Sequence, residues 1–187
     1  MVKLWNQEAA DWRLELEIGG DSAPLSLRAG PEGRVLILCL GKDPNAETAR
    51  RAAAKAVTAI RELGARTALM DVDPAARALG PGGLSALAQG AQLACYRQPA
   101  WKEREEQPFT LYFTGGQWLD VPAILKETSV VTRAVCYARD LTNRPVNLLT
   151  PAMLAQSMKE AAEPLGVEVQ ILDEYQTRAL GIGAFHA

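Results

Sequence analysis

The sequence contains one histidine, His186, and only three cysteines among its 187 residues. The scarcity of histidine excludes Ser-His-Asp triads, Cys-His pairs and multi-histidine zinc sites as complete sites within this chain. Cys39, Cys95 and Cys136 are far apart and stand in apolar contexts, which predicts buried thiols rather than a disulfide or a metal-ligand set. Such thiols are typical of the reducing cytoplasm.

An excess of charge of one sign and a long apolar run are also lacking. The chain has 20 Lys and Arg against 22 Asp and Glu, a formal net charge of −2, which argues against a dedicated nucleic-acid binder. No stretch approaches the roughly 20 apolar residues that span a bilayer, and the first residues lack the apolar core of a signal peptide. We therefore expect a soluble cytoplasmic protein without a membrane partner. With 48% hydrophobic residues, the chain can build one core and a smaller appendage.

The first half of the chain shows strand patterns. Residues 12–18 alternate between apolar and charged side chains, which predicts a strand with one buried and one wet face. Residues 25–27, just before a Gly-Pro pair, are its expected antiparallel partner. Residues 35–40 and 67–70 are apolar on both faces, which is typical of central strands covered by helices on each side.

Helical patterns alternate with these strands. One helix, with Asp43 or Asn45 as its cap and Gly64 at its end, has an apolar stripe that consists of Ala49, Ala52, Ala53, Ala56, Val57, Ile60 and Leu63. A second helix follows residues 80–83; its expected buried face consists of Leu84, Leu87, Ala88, Ala91 and Ala94. Residues 101–108 form a charged loop before a strand at 109–113. A strand, a helix and a strand in this order predict right-handed crossovers, and the whole pattern predicts a three-layer α/β domain with a mixed, mostly parallel sheet.

The last third of the chain predicts two helices joined by a corner. A long helix begins at its N-cap Asp120 and ends near Asn143, with an apolar face of Val121, Ile124, Leu125, Thr128, Val131, Val135 and Ala138. Thr150 caps a new helix that begins with Pro151. That helix ends near Gly166, and a strand at 167–172 and a short helix follow. The amides of Asn143 and Asn147 can bind backbone groups at the corner, so we favour a structural role for it over substrate contact.

Three groups of residues offer candidate chemistry, each with a simpler structural explanation. Asp71 and Asp73 follow a central strand, where open α/β sheets often place ligands, but Asp73 and Pro74 also form a helix start. Residues 80–83, Gly-Pro-Gly-Gly, could cradle a phosphate, but they lack the Walker lysine and turn geometry explains them. The basic helix face of Arg50, Arg51, Lys55 and Arg61 is interrupted by Glu47 and Glu62, which favours a solvated surface. The sequence therefore assigns no catalytic, cofactor-binding or metal-binding residue.

The corner carries a resemblance to a known family. Residues 139–141 (Arg-Asp-Leu), Asn143, Pro145, Asn147 and residues 150–151 (Thr-Pro) are similar in order and spacing to the segment that joins the two domains of the leucine aminopeptidase (cytosol aminopeptidase) family. The similarity continues to residues 180–183, where Ile182 replaces the more usual methionine. Residues 35–42 resemble a strand and turn of the same family.

The resemblance implies that this chain is the front of a longer protein. Residues 1–118 would form a macro-domain-like N-terminal α/β domain, 119–144 a connector helix, and 145–187 the start of a truncated catalytic domain. The parent enzyme would remove N-terminal residues from peptides with two divalent metal ions, manganese or zinc, held by motifs that lie downstream. None of those motifs occurs before Ala187, so the resemblance implies that this chain alone is inactive and that its partners are the missing catalytic domain and further copies in a hexamer.

Two alternatives and one consequence remain open from the sequence. The chain could be a free-standing macro-like module that binds a nucleotide or an ADP-ribose-like ligand near residues 71–73 and 80–83. A regulatory nucleic-acid-binding module is disfavoured by the charge. Residues 145–187 are rich in apolar side chains that would lack a covering partner, which predicts self-association through that segment.

Overall fold

The computed structural model describes residues 1–4, 10–19, 25–30, 33–98 and 108–183. Contacts divide the chain into two compact units, Met1–Ala138 and Arg139–Ala187. The predicted partition at residues 118 and 144 stays a prediction. The predicted loop at 101–108 lies almost wholly outside the described residues, and His186 lies outside them.

The first unit is built on a mixed sheet. The described strands are β1 (Val2–Leu4), β2 (Trp12–Glu17), β3 (Leu25–Gly30), β4 (Gly33–Cys39), β5 (Thr67–Asp71) and β6 (Thr110–Thr114). They are arranged in the order β1-β6-β5-β2-β4-β3. All neighbours are parallel except β3 and β4, which are antiparallel. The predicted α/β class with a mixed, mostly parallel sheet is therefore confirmed.

The expected partner of β2 was wrong. Residues 25–27 pair with β4 instead, because only two residues separate β3 from β4 and so short a link joins antiparallel neighbours. β2 lies between β4 and β5 and is parallel to both. Its alternating pattern is nevertheless confirmed, because Trp12, Leu14 and Leu16 are buried while Arg13 and Glu15 are exposed.

Two helices cover one face of this sheet. α1 (Ala46–Glu62) connects β4 to β5, and α2 (Asp73–Ala94) connects β5 to β6. Both connections run across the sheet in the same direction, so right-handed crossovers place both helices on the same face. The core consists of side chains from this sheet face and from both helices. Its members include Leu14, Leu38, Met70, Phe113, Val57, Ile60, Leu84 and Leu87. The other helical layer of the predicted sandwich stays a prediction.

The start of α1 is fixed by a capping box. The Asn45 side chain accepts hydrogen bonds from the backbone N–H groups of Glu47 and Thr48, and the Asn45 N–H donates to Thr48 Oγ1 over 2.8 Å. Asn45 rather than Asp43 is therefore the cap. The predicted apolar stripe is buried through Ile60, but Leu63 is 56% exposed because the helix ends at Glu62 and the chain turns away at Gly64, whose φ is +81°.

The two helices cross very closely at Gly90. A Cβ atom at this position would overlap the carbonyl oxygen of Arg50, and the carbonyl carbon would be only 2.8 Å away. The facing side of α1 is formed largely by buried alanines, which leave room for this approach. Glycine at position 90 is therefore required by the distance between the two backbones.

Polar side chains attach the next helix, α3 (Val121–Thr142), to α2. Thr128 Oγ1 lies 2.9 Å from Ser85 Oγ, and Thr132 Oγ1 donates to Gln92 Oε1. Asp120 caps α3 as predicted, because its Oδ1 accepts the N–H of Ala123 over 3.1 Å. The predicted apolar face was wrong in its second half: Thr132 is buried, whereas Val131 and Val135 are exposed.

The second unit, considered by itself, is helical. It contains the end of α3, short 3-10 helices at Val146–Leu148 and Glu163–Leu165, α4 (Pro151–Ala162) and α5 (Glu174–Ala179). Thr150 caps α4 as predicted, since its side chain accepts the N–H of Met153. The predicted strand at 167–172 was wrong, because a strand needs a neighbour for its N–H and C=O groups and these residues have none among the described strands. Among the described residues, no helix is both long and apolar enough to cross a membrane.

The three cysteines form no disulfide, as expected, but they are half-buried rather than fully buried. Each lies at the margin of the packed part of its element. Cys39 and Cys95 stand at the end of β4 and just after α2, where the chain leaves the core. Cys136 belongs to the second half of α3, beside the exposed Val135 and Tyr137.

We predict that Gly90→Ala destabilises the first unit by about 1–3 kcal/mol, because the added methyl group forces α1 and α2 apart. The measurement is the free energy of unfolding from chemical denaturation. Gly82→Ala is the matched control, since its Cβ would meet no atom within 4 Å. A helical alanine at position 82 should be neutral or stabilising by at most about 1 kcal/mol. Equal stability of the two variants would contradict the close crossing.

A second prediction concerns acid stability. The backbone N–H groups of Arg66 and Thr67 each donate to Asp11 Oδ2 over 2.9 Å, which holds the pKa of Asp11 below its ordinary value. Because the folded-state pKa is the lower one, this stabilisation is fully present above about pH 4 and is lost as the pH falls through the folded-state pKa.

The difference in unfolding free energy between wild type and Asp11→Asn should therefore stay constant at higher pH and shrink as the pH falls below about 4. Asp43→Asn is the control, because Asp43 is exposed and has no hydrogen bond in the described part of the chain. A pH-independent difference for Asp11→Asn would count against the assigned contact.

Candidate functional site

The first candidate residues, Asp71 and Asp73, lie at the carboxyl end of β5. Asp71 Oδ1 accepts the backbone N–H of Asp73 over 3.0 Å. Contrary to the prediction, Asp73 does not cap α2. The N-cap position is Val72, and the Asp73 carboxylate accepts the N–H of Gly116. β6 ends beside β5, which brings the N–H of Gly116 in the turn after β6 to the Asp73 carboxylate. Asp73 therefore has a structural role: its side chain links the start of α2 to the turn after β6.

The turn after β6 contains two glycines with positive φ, 84° at Gly115 and 68° at Gly116. A Cβ at Gly115 would lie 2.5 Å from Asp73 Oδ1 and 2.7 Å from Asp71 Oδ1. Both carboxylates thus reach the same point beside the turn. The arrangement requires glycine at position 115 for its conformation and for its space.

A cavity of about 420 Å³ lies beside β2 and the carboxyl ends of β5 and β6, next to the start of α2. Its lining residues are Arg13, Leu14, Glu15, Leu16, Leu69, Asp71, Pro74 and Thr114. The ladder explains this grouping: Arg13 is level with Leu69, and Asp71 is level with Thr114. Extending the ladder by one residue places Glu15 level with Asp71. The volume falls in the range of small-ligand sites.

The cavity is located where the chain leaves neighbouring strands in opposite directions. From β2 the chain proceeds to β3 and β4 on one side, and from β5 it proceeds through α2 to β6 on the other. Open α/β sheets bind ligands at such points, outside the carboxyl ends of the strands. The position of the cavity therefore favours binding independently of its lining.

The charges of the cavity are mixed. Arg13 brings a guanidinium, and Glu15 and Asp71 bring two exposed carboxylates. Glu15 has no hydrogen bond or ion pair within the described ranges, and Asp71 uses only Oδ1, toward Asp73. Two carboxylates repel a phosphate, so the lining does not support the nucleotide or ADP-ribose alternative.

Residues 80–83 lie within α2, where they produce a kink. Gly80 has φ 62° and ψ −155°, outside the helical range, and the helix resumes with Pro81. Gly83 is buried, and a Cβ there would overlap Leu79. Backbone geometry and packing account for these glycines.

The three arginines of the basic α1 face are paired within the protein. Glu47 accepts hydrogen bonds from Arg51 and Arg50, which lowers the pKa of the Glu47 carboxyl. Arg50 also donates to Gln89 over 3.1 Å, and Arg61 donates to the carbonyl of Ala94 over 3.1 Å. These contacts tie the arginines to α1 and α2, in line with a structural surface.

In the ranges that the structure describes, no group of three or more His, Cys, Asp or Glu residues could hold a metal ion.

Arg13 and Glu15 were missed by sequence reasoning, which interpreted them only as the wet face of β2. The available signal was their alternation with buried residues. What the pattern could not show is that β2 lies in the middle of the sheet beside Asp71.

Comparison with known sequences finds one matching family and several similar proteins. Residues 23–105 match the family described as the N-terminal domain of the cytosol aminopeptidase family. A probable cytosol aminopeptidase of Geotalea uraniireducens is 34% identical over 152 residues, which cover 76% of this chain and 30% of that protein. A homologous protein of Synechococcus elongatus, with the same description, is 33% identical, with coverage of 84% and 32%. The chain spans about a third of the length of these relatives.

Solved structures show the same fold. The bottromycin maturation enzyme BotP, solved in complex with Mn, superposes with a TM-score of 0.73 and 25% identity, over 92% of this chain and 40% of that one. A mutant of tomato leucine aminopeptidase gives a TM-score of 0.76 over 96% of this chain and 45% of that one, at 19% identity. The second likeness is one of fold alone.

The turn after β6 generates a prediction. Gly115→Ala and Gly19→Ala introduce the same residue at nearly the same φ, 84° and 85° respectively. Both should lose about 1–2 kcal/mol from the left-handed backbone conformation. Gly115→Ala should lose at least about 1 kcal/mol more, because its Cβ meets two carboxylates whereas that of Gly19 meets nothing within 4 Å. Thermal or chemical unfolding of the two variants measures the difference, and equal losses would refute the arrangement of the carboxylates.

Proposed function

Because this chain carries the N-terminal domain of the cytosol aminopeptidase family, we propose that it is the assembly and regulatory part of a leucyl-aminopeptidase-like metallopeptidase. The proposed parent enzyme removes N-terminal amino acids from peptides in the cytoplasm. The observation that carries this proposal is the match of residues 23–105 to the family's N-terminal domain. The length of the relatives supports the view that catalysis belongs to a part of the parent beyond this chain.

The metal ions of the proposed parent do not fit the residues described here. Two-metal hydrolysis needs several convergent carboxylate, histidine or lysine ligands. Asp71 and Asp73 are close together, but their Oδ1 atoms accept backbone N–H groups. The manganese or zinc ions would therefore be bound by other parts of the parent.

We assign residues 145–187 to the start of the catalytic domain. In the second unit, α4 and α5 have no buried residue. The most exposed large apolar side chains of this unit are those of Val146, Met158, Leu165, Val167, Tyr175 and Leu180. Soluble proteins rarely expose so many apolar side chains together, so we expect another protein surface to cover this segment. In the parent, that partner would be the rest of the catalytic domain and further copies of the protein in a homo-oligomer.

We predict that the purified chain does not release leucine from leucyl substrates in the presence of added manganese or zinc, because its described residues offer no cluster of metal ligands. The measurement is product formation with a chromogenic leucyl amide. The intact Geotalea relative is the positive control. Metal-dependent release by the 187-residue chain would contradict the assignment.

A chimera tests the positive side of the proposal. Residues 1–187 replace the matching first third of the Geotalea relative, and the product is compared with the remaining two thirds alone. If this chain is a functional N-terminal domain, the chimera should show metal-dependent hydrolysis and the oligomeric mass of the intact relative by light scattering. A chimera with no more activity or assembly than the catalytic part alone would oppose the proposal.

A further inference from the structure

We propose that the outer face of α3, formed by Val130, Val131, Ala134 and Val135, docks onto an apolar surface of the catalytic part of the parent. All four residues belong to the first compact unit and are exposed. The inference rests on the proposed function, because the occupant is the part of the parent that lies beyond this chain. It extends the proposed function by giving the N-terminal domain a contact surface of its own.

Within the first unit, α3 has two distinct faces. The buried face consists of Val121, Leu125, Thr128 and Thr132. At about 100° of rotation per residue, the outer face occupies a separate arc of the helix about 140° wide. Val130, Val131 and Val135 on this arc are 54%, 48% and 37% exposed. A helix that packs against a core has an apolar stripe at least about 100° wide, so the outer face is wide enough to pack against a second body.

The residues of the outer face do not suit a solvated helix surface. Valine is a poorer helix former than alanine, because its branched Cβ atom restricts χ1. Exposed helix positions favour alanine, lysine or glutamate, since packing does not decide the residue there. Three exposed valines between positions 130 and 135 therefore indicate a contact that the first unit does not supply.

The outer face is also uncharged, which selects the chemistry of the partner. Arg133 is the one charged residue between positions 130 and 135. It lies outside the arc of the outer face, and its Nε donates to the carbonyl oxygen of Ser129 over 3.3 Å. A surface without charge offers nothing to a phosphate or a nucleic acid, whereas it matches an apolar protein surface.

The catalytic part of the parent is the occupant favoured by length and by connection. This chain spans about a third of the length of its relatives, so most of the proposed parent lies beyond it. The catalytic part is joined to α3 by the chain itself, and such a tether gives an effective concentration of up to about millimolar. A second copy competes only at its concentration in solution. The tethered body therefore has the advantage for the same apolar face.

The test measures the alkylation rate of a thiol placed on the outer face, in the chain alone and in the chimera with the catalytic part of the Geotalea relative. Val131→Cys should react at least about tenfold more slowly in the chimera, because docking covers the side chain. Trypsin cleaves after Lys126 and Arg133, so mass spectrometry separates the new thiol from the native Cys136. Thr58→Cys is the matched control at an exposed position of α1, and its rate should be the same in both proteins.

The outcomes separate this inference from the proposed function. An active, assembled chimera in which Val131→Cys reacts as fast as in the chain alone would overturn the docking while the proposed function stands. Equal slowing of Val131→Cys and Thr58→Cys would also overturn it, since the cover would not be specific to α3. A rate at Val131→Cys that falls as the concentration of the chain alone rises would identify a second copy as the occupant. A chimera without activity or assembly would refute the proposed function itself.

A pair of alanine substitutions gives a readout of opposite sign in the two proteins. Val131→Ala combined with Val135→Ala should raise or maintain the thermal midpoint of the chain alone, because alanine is the better helix former. In the chimera, the same change should lower the midpoint, because it removes methyl groups from a buried contact. Circular dichroism follows the chain alone, and calorimetry follows the chimera. A rise in both proteins would mean that the valines are only a surface feature, contrary to the proposal.

Discussion

The close approach of α1 and α2 is the constraint on which the first unit depends. Both helices lie on the same sheet face, so their separation decides whether one layer of two helices covers the parallel strands beneath. The alanines of α1 and Gly90 of α2 bring the two backbones nearly into contact. The larger core side chains, such as Leu84, Leu87 and Ile60, are then directed toward the strands instead of filling a gap between the helices. The small residues at the crossing let the helices approach each other, and the large residues below it fill the space above the strands.

The opposite sheet face has a different character, and strand order explains it. β2 has charged residues at alternate positions, yet it lies between β4 and β5 in the middle of the sheet. Its neighbours bring Ile37 and Leu69, both buried, to the same face. A central strand with two charged side chains among apolar neighbours produces a polar concavity, whereas the same strand at an edge would produce only a wet surface. The polar cavity is thus a product of topology more than of any sequence motif.

Local signals in the sequence predicted local structure well. Asn45, Asp120 and Thr150 cap helices because each offers a side-chain oxygen just before an apolar pattern, and that contact involves only near neighbours. The failures involve distant parts of the chain. Asp73 turns to Gly116, residues 25–27 pair with β4, and 167–172 form no strand, each because a partner far along the sequence is present or absent.

The same distinction applies to the candidate site. Asp71 could be selected from its place after a central strand, but Arg13 and Glu15 could not, because their proximity to Asp71 depends on which strand inserts between β4 and β5. Val131 and Val135 were misassigned for a related reason. Helical periodicity identifies an apolar stripe, but α3 is attached to α2 through hydroxyl and amide groups that carry no apolar signal.

That polar attachment of α3 has a consequence for sequence variation. A hydrocarbon contact tolerates rotation and exchange of side chains, because dispersion forces have little directional preference. Hydrogen bonds between Ser85 and Thr128, and between Gln92 and Thr132, exist only if both members of each pair are present and face each other. Loss of Ser85, for example, removes the hydrogen-bond partner of the buried Thr128 hydroxyl, so a substitution on α2 favours a compensating one on α3. Among related proteins, these two helices should therefore change together at these positions, while the exposed valines of α3 vary independently of α2.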